Sequence, residues 1–316
     1  MILSFSLSLS LSLSLSLSLS LSLPGGTVKT ISSLCGGLPA PEAANNPLMY
    51  KFSWSPLGVL RAAQNDSQYR EGNQIVQVDG SKLLVSARHT GCFPTMSLEH
   101  LPNRDSLPYG EVYGIESAEQ IYRGTLRYGG WSHLMEDFRK IGLTTKNAGM
   151  DRDDVPMTWS EIMSLVESES KGGDANEKVS DEAKQCLQWL GCYSDAPVTD
   201  RSSILNAFCA LLQEKLAYAP GERDMVLMQH EFGVTYEDER SNEMRTSSML
   251  LYGEPHGNTA MAKTVGLTIA VGAELILAGA GKGGGVLVPT TPELYNPGLD
   301  LLAKEGLVFN EESRSL

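Results

Sequence analysis

Hydrophobic and polar positions change their rhythm several times along this chain. From Ser4 to Leu23 serine and leucine alternate almost without a break, Phe5 being the exception. A strict period of two predicts a strand with one all-leucine face, a uniformity that natural cores do not use. As a signal peptide the segment lacks a basic start and a small-residue cleavage site before Pro24. As a membrane span it is diluted by its serines. The genetic code supplies another reading, because a TC dinucleotide repeat read in threes encodes Ser then Leu indefinitely. Residues 1–24 therefore read as a translated microsatellite, low in complexity and without a fold of its own.

From Gly25 onward the pattern is that of a folded protein. Thr27–Leu34 alternates β-branched and polar residues and predicts a strand that runs into a loop at Gly36-Gly37, Pro39 and Pro41. Ser55–Ala63 predicts a short helix with Pro56 in its first turn. Ile121–Tyr128 predicts a strand with Tyr122, Gly124, Leu126 and Tyr128 on one face and Arg123, Thr125 and Arg127 on the other. The period then becomes helical between Ile141 and Pro220. Thr158-Trp-Ser-Glu161 is a capping box opening a helix to about Ser168, Asp181–Leu190 is a second helix, and Ile204, Phe208, Leu211, Leu212 and Leu216 mark a third, with a polar loop at Lys171–Lys178. Met225–Tyr236 and Arg245–Tyr252, flanking the charged stretch Glu237–Glu243, read as a β-hairpin. Ala260–Ala278 is a helix of small and apolar residues whose Lys263, Glu274 and modest length favour a buried core helix over a membrane span. The fold class is α+β: a mixed-sheet domain built from residues 25–140 and 221–258, an all-α module inserted at 141–220, and a C-terminal helical segment at 259–316.

Composition narrows the chemistry. The 316 residues carry 25 basic and 38 acidic side chains, a net charge of −13, which opposes phosphate backbones and anionic lipid and points to small-molecule partners. The five cysteines form no C-x-x-C pair and no metal-ligand spacing, as expected of reduced thiols in a cytoplasmic protein with neither disulfide framework nor structural metal. Gly279-Ala-Gly281-Lys-Gly283-Gly284 matches G-x-G-x-x-G by letters, but a helix precedes it where the dinucleotide fingerprint needs a strand, so a helix C-cap and turn explains it better. His230-Glu231 fails as a zinc motif because position 234 is Val, which leaves His230 as a hydrogen-bonded core histidine. Arg123 and Arg127 bracketing Thr125 make either a carboxylate cradle or the solvated face of an antiparallel sheet.

Several words go further than pattern. Leu34-Cys-Gly-Gly-Leu-Pro-Ala-Pro41, Asn46-Pro-Leu-Met-Tyr-Lys-Phe-Ser-Trp-Ser55, Pro102-Asn-Arg-Asp-Ser106, Arg123-Gly-Thr-Leu-Arg-Tyr128, Arg223-Asp-Met-Val226 and Ala260-Met-Ala-Lys-Thr-Val-Gly266 closely resemble the saccharopine dehydrogenase family, including the matching half of bifunctional α-aminoadipic semialdehyde synthases. The resemblance implies an oxidoreductase of lysine metabolism that interconverts saccharopine with glutamate and α-aminoadipate semialdehyde using NAD or NADP. It implies saccharopine contacts at Arg104, Thr125, Leu126 and Arg127, and cofactor contacts at Cys35 and Ser55. It names no catalytic residue. Asp105 and His230 are conceivable proton handlers, and water-assisted chemistry is equally open.

Family members begin with a Rossmann domain, and no such unit is legible here, so the nucleotide site is expected to be incomplete in this sequence. Residues of about Thr259–Phe309 pack on that domain in the family and are expected to expose apolar surface without it. A non-catalytic amino-acid-binding or dimerisation module, possible as a homodimer, is the alternative. The expected compartment is cytoplasmic, or mitochondrial if a true N-terminus is missing.

Overall fold

A single long strand organises the molecule. The computed structural model describes residues 25–144, 158–170, 179–281, 285 and 287–316. The Ser-Leu repeat, the Lys171–Lys178 loop and part of the Gly279–Gly284 run lie outside the described residues. In chain order the elements are β1 (Gly26–Pro39), α1 (Pro56–Ala62), β2 (Ser67–Glu71), β3 (Gln74–Val78), β4 (Arg88–Thr90), β5 (Leu98–Pro102), α2 (Tyr109–Tyr113), β6 (Gln120–Tyr128) and α3 (Trp131–Lys140). There follow α4 (Trp159–Ser170), α5 (Asp181–Leu190), α6 (Ile204–Lys215), β7 (Asp224–Tyr236), β8 (Glu243–Tyr252), α7 (Ala260–Leu277), α8 (Pro292–Lys304) and β9 (Asn310–Ser315).

The strands form one mixed sheet in the order β3-β2-β6-β1-β7-β8-β9, with β5 also paired to β6 and β4 to β5. β1 lies parallel to β6 and antiparallel to β7. The fold is therefore α+β with a mixed sheet, as the sequence predicts. One expectation is corrected here, because β1 does not give way to a loop at Gly36-Gly37 but continues through both glycines to Pro39. The reason is packing: a Cβ on Gly36 would stand 2.8 Å from the Leu126 Cβ, and one on Gly37 would collide with the Met261 side chain. These glycines let neighbouring elements close onto the strand. Tyr128 Oη then ties the two strand ends together by donating to the Pro39 carbonyl oxygen at 3.0 Å.

One face of the sheet carries Leu34, Leu38, Tyr122, Leu126 and Tyr128, which share a single hydrophobic core with α1, α3, α5 and α6 through residues such as Leu60, Phe138, Leu187 and Phe208. The capping box opens α4 as read from sequence, with the Thr158 amide donating to Glu161 Oε2 at 2.9 Å and the Glu161 amide to Thr158 Oγ1 at 3.3 Å. The β7–β8 hairpin also forms, with Met225 opposite Tyr252. The strand β9 was not foreseen; it pairs with β8 as an exposed edge.

The buried-helix expectation for Ala260–Ala278 needs a second correction. By length and composition α7 is the one described helix apolar enough to cross a membrane, yet it docks on the sheet by Ala260 and Met261 and on α8 by Val271. Its far side is open, with Ile276 71% and Leu277 88% exposed. An amphipathic strip alone, not the whole cylinder, meets the core. Its last turn closes with Gly279 at φ 83° and the Ala280 amide donating to the Leu275 carbonyl, the C-cap role expected for the start of the glycine run.

The start of α7 is fixed by a buried carboxylate. Asp224 accepts from the amides of Ala260 at 2.6 Å and Met261 at 2.9 Å, so the first strand residue of β7 caps a helix far along the chain. Asp224→Ala removes two charge-assisted bonds and is expected to lower unfolding free energy by about 2 kcal/mol. Urea denaturation checks this, and an unchanged midpoint would assign the docking of α7 to Met261 alone.

Candidate functional site

Register decides which side chains meet on the other face of the sheet, because residues opposite one another on paired strands point the same way. Ser33 is opposite Arg123 on β6 and His230 on β7, and His230 is opposite Ser247 on β8. The next row in the same direction is Thr125, Cys35, Met228 and Met249. The polar row Arg123-Ser33-His230-Ser247 thus separates two apolar clusters. One holds Ile31, Ile121 and Phe232 with Tyr109 and Tyr113 of α2, and the other holds Met228, Met249 and Met261 with Cys35, Trp54 and Phe309.

Arg127 lies on this face at the end of β6 and is only 5% exposed. Its guanidinium sits 4.9 Å from the Trp131 ring and 5.5 Å from the Tyr50 ring, and Nη1 donates to the Leu126 carbonyl at 2.8 Å. Nε is buried without a hydrogen-bond partner, and no described carboxylate forms an ion pair with the group. A buried cation with aromatic walls and no anion is an expensive arrangement for a fold to keep. Arg123, half-buried, repeats the theme: it stacks 4.1 Å from the Tyr109 ring and its Nε is likewise buried and unpartnered. The reading of this strand as a solvated face is set aside, since Arg127 is buried and Arg123 and Thr125 are half-buried.

The other residues singled out from sequence are placed as follows. Thr125 is half-buried between the two arginines and directly opposite Cys35. Leu126 is fully buried in the opposite core, so only its backbone faces this site, and its carbonyl is already taken by Arg127. Arg104 is exposed on the loop after β5, at φ 53°, and its carbonyl accepts from the Gln68 amide at 2.9 Å. The loop is pinned to Arg123, whose carbonyl accepts from the Asn103 amide at 2.9 Å and whose own amide donates to Ser106 Oγ at 3.1 Å. Glu99, by contrast, is the residue opposite Arg127. The β5–β6 pair therefore brings Arg104 beside Arg123, with Arg127 at its other end. Ser55 is exposed and caps α1 by accepting from the Gly58 amide at 3.2 Å, while the adjoining Trp54 enters the apolar cluster that contains Cys35. Tyr50, Tyr109 and Trp131 carried no signal of their own, because each meets its arginine through tertiary packing.

Electrostatics follow from this placement. Burial pushes the Cys35 thiol up to about 12, against the pull of the Arg123 and Arg127 charges, so the thiol is held neutral. His230 is wholly buried, its Nδ1 3.1 Å from Ser33 Oγ, and desolvation lowers its pKa to about 3. This is the core histidine expected from sequence. Asp105 accepts from Gln68 Nε2 at 2.8 Å and the Leu107 amide at 2.9 Å, a turn-forming role at the surface.

A dinucleotide needs a free helix N-terminus for its pyrophosphate. Two strand-to-helix connections here contain glycine, and both are filled. At Gly129-Gly130 the Glu99 carboxylate accepts from the amides of Gly130 at 3.0 Å and Ser132 at 2.7 Å, and at Gly253–Thr259 the Asp224 carboxylate holds Ala260 and Met261. Carboxylates in these seats exclude a phosphate, so the described residues do not fit the phosphate half of such a cofactor.

The mixed sheet thus carries α1, α3, α5 and α6 on one face and, on the other, α2, the start of α7 and two arginines with no described carboxylate against them. The chain belongs to the family of the saccharopine dehydrogenase C-terminal domain, whose model matches residues 14–307. It is 40% identical over 303 residues to the saccharopine dehydrogenase (NADP(+), L-glutamate-forming) of Schizosaccharomyces pombe, covering 91% of this chain and 67% of that one. It is 38% identical over 301 residues to the mitochondrial alpha-aminoadipic semialdehyde synthase of Mus musculus, covering 92% of this chain and 32% of that protein. Among solved structures, the apo saccharopine dehydrogenase (L-Glu forming) of Saccharomyces cerevisiae superposes with a TM-score of 0.86 at 34% identity, covering 96% of this chain and 71% of that one. The chain thus spans about a third of the mouse protein and about two thirds of the yeast ones.

The buried imidazole gives a pH signature. Its folded pKa of about 3 lies below the ordinary 6.5, so unfolding takes up a proton between those values. The His230 contribution is complete above pH 6.5 and is lost as pH falls towards 3, at up to about 1.4 kcal/mol per pH unit. Denaturant midpoints measured from pH 7 to 4 are expected to fall less steeply in His230→Gln than in the unsubstituted chain. Equal slopes would mean that the imidazole ionises inside the fold.

Proposed function

We propose that this chain is the amino-acid-holding part of a saccharopine dehydrogenase, with Arg127 gripping a carboxylate of saccharopine, Thr125 and the Leu126 backbone lining the seat, and Arg104 approaching from the β5–α2 loop. The observation that carries this reading is the Arg127 guanidinium, buried between Trp131 and Tyr50 with Nε unsatisfied and no described carboxylate against it. A carboxylate ligand supplies the missing charge and accepts the missing bond. The family and the printed activities of the relatives support the choice of saccharopine and its product glutamate over other dicarboxylates.

In this reading the reaction belongs to lysine metabolism, and the redox step belongs to a nicotinamide cofactor, NADP or NAD. Because Glu99 and Asp224 fill the glycine-containing helix starts, pyrophosphate is held by groups other than those described. In this reading Cys35, opposite Thr125, and Ser55, next to Trp54 of the Cys35 cluster, meet the cofactor, Cys35 as a neutral small side chain that lets the ring approach, not as a nucleophile. The role of this chain is to bind and orient the amino acid. The same filled helix starts favour a second reading, an amino-acid-binding module that performs no hydride transfer.

Titration calorimetry of the full chain separates these readings. Saccharopine is expected to bind and NADPH, titrated separately, not to bind measurably. Arg127→Met is expected to weaken saccharopine at least about tenfold, as loss of a charge-assisted pair requires, while leaving the melting temperature of the ligand-free chain unchanged or higher, since an unpaired buried charge is removed. Absence of saccharopine binding in the unsubstituted chain defeats the proposal. Tight NADPH binding would instead place a complete dinucleotide site in it.

A further inference from the structure

We propose that Arg123, held against Tyr109, is a second carboxylate fork of the same site, so that Arg123 and Arg127 take the two ends of one extended polycarboxylate and set the ligand length the site accepts. This rests on the reading of the Arg127 seat as a saccharopine site. Its first support is position. Both arginines project from the same face of β6, with Thr125 between them and Cys35 beside Thr125. A strand rises about 3.3 Å per residue, which puts their Cα atoms about 13 Å apart along a backbone paired to β1 up to Thr125 and to β5 from Gly124 onward. Such a spacing is fixed by the sheet and not by loop mobility.

The second support is the matching state of the two side chains. Each is stacked on an aromatic ring, Arg123 at 4.1 Å from Tyr109 and Arg127 at 4.9 Å from Trp131, and each keeps a buried Nε with no partner. Elsewhere in this acidic chain arginines find carboxylates: Arg88 pairs with Glu71, Arg139 with Glu136, Arg223 with Glu42 and Arg245 with Glu243. Arg61, Arg70, Arg104, Arg201 and Arg314 form no such pair either, but among the described arginines only Arg123 and Arg127 keep a buried Nε with no partner. Stacking fixes the plane of each guanidinium and reduces the entropy lost when the fork closes on a carboxylate. Both charges also lower the pKa of the Cys35 thiol, the side chain opposite Thr125.

Length selection follows. Glutamate, whose carboxylates lie close together, reaches the Arg127 fork alone. Saccharopine, with carboxylates at both ends of a long chain, reaches both, and its middle lies across Thr125 and Cys35.

The test is calorimetry of the full chain with saccharopine and with glutamate, in the unsubstituted protein and in Arg123→Met, Arg123→Lys and Tyr109→Leu. Arg123→Met is expected to raise the saccharopine Kd about tenfold or more and to leave the glutamate Kd within about twofold. Arg123→Lys recovers part of the loss, because it restores charge without the planar fork, and Tyr109→Leu weakens saccharopine alone by a smaller factor. Intact glutamate binding is the readout that a merely structural Arg123 would not give. If saccharopine binds the unsubstituted chain and Arg123→Met binds it equally well, the second fork is overturned and the Arg127 seat stands. Equal weakening of both ligands in Arg123→Met also overturns it, by making Arg123 structural. No saccharopine binding to the unsubstituted chain removes both.

Discussion

Everything in this molecule hangs on the close approach of neighbouring elements to β1. That strand is hydrogen-bonded along its length to β7 and over its middle, Thr30–Cys35, to β6, and three glycines in the seam permit it. Gly36 meets Leu126, Gly37 meets Met261, and a Cβ on Gly124 would stand 2.8 Å from Leu34 Cδ2. A side chain at any of these positions would wedge the sheet against its cover. The seam sets the register of β6 against β1, and the register sets which polar groups share a row. The arginine face is thus a consequence of backbone packing before it is a matter of charge.

The charge distribution gains its meaning from that constraint. A chain with net charge −13 has carboxylates to spare for its cations, and surface arginines such as Arg88 and Arg223 take them. On the β6 face carboxylates are present but directed elsewhere. Glu99, directly across from Arg127, turns to the start of α3 and neutralises two amides there instead of the guanidinium. The arrangement leaves the cation without a described anion at the end of β6 and closes the adjacent helix terminus to any outside anion. One side chain determines both which seat stays open and which is occupied.

Much of the fold was legible because it is local. The capping box at Thr158, the helix Asp181–Leu190 and the β7–β8 hairpin announce themselves in period and turn chemistry, and each forms as read. Gly36-Gly37 misled because glycine signals a turn and close packing by the same absence of a side chain. α7 misled because its apolar composition does not say how much of it meets a partner. The alternation of Arg123, Thr125 and Arg127 was visible, and so was the choice between cradle and solvent face. Setting the solvent face aside needed the aromatic rings packed on the arginines: Tyr50 and Tyr109 come from other segments of the chain, and Trp131 comes from the first turn of the next helix. Arg104 came from resemblance, and only the β5–β6 pairing shows that it stands nearer Arg123 than Arg127.

The last strand has a consequence for how the molecule behaves in a crowd. β9 offers a row of backbone donors and acceptors that another chain could extend, the geometry from which fibrils grow. Its sequence answers that hazard with Glu311 and Glu312, side by side and fully exposed, followed by Arg314. A second copy laid antiparallel along this margin meets like charges in the register that sets Glu311 against Glu312, and opposite ones in the register that sets Glu311 against Arg314. The sheet therefore ends in a short, charged selvage that offers an approaching chain no apolar surface to bury and restricts the registers in which it could add.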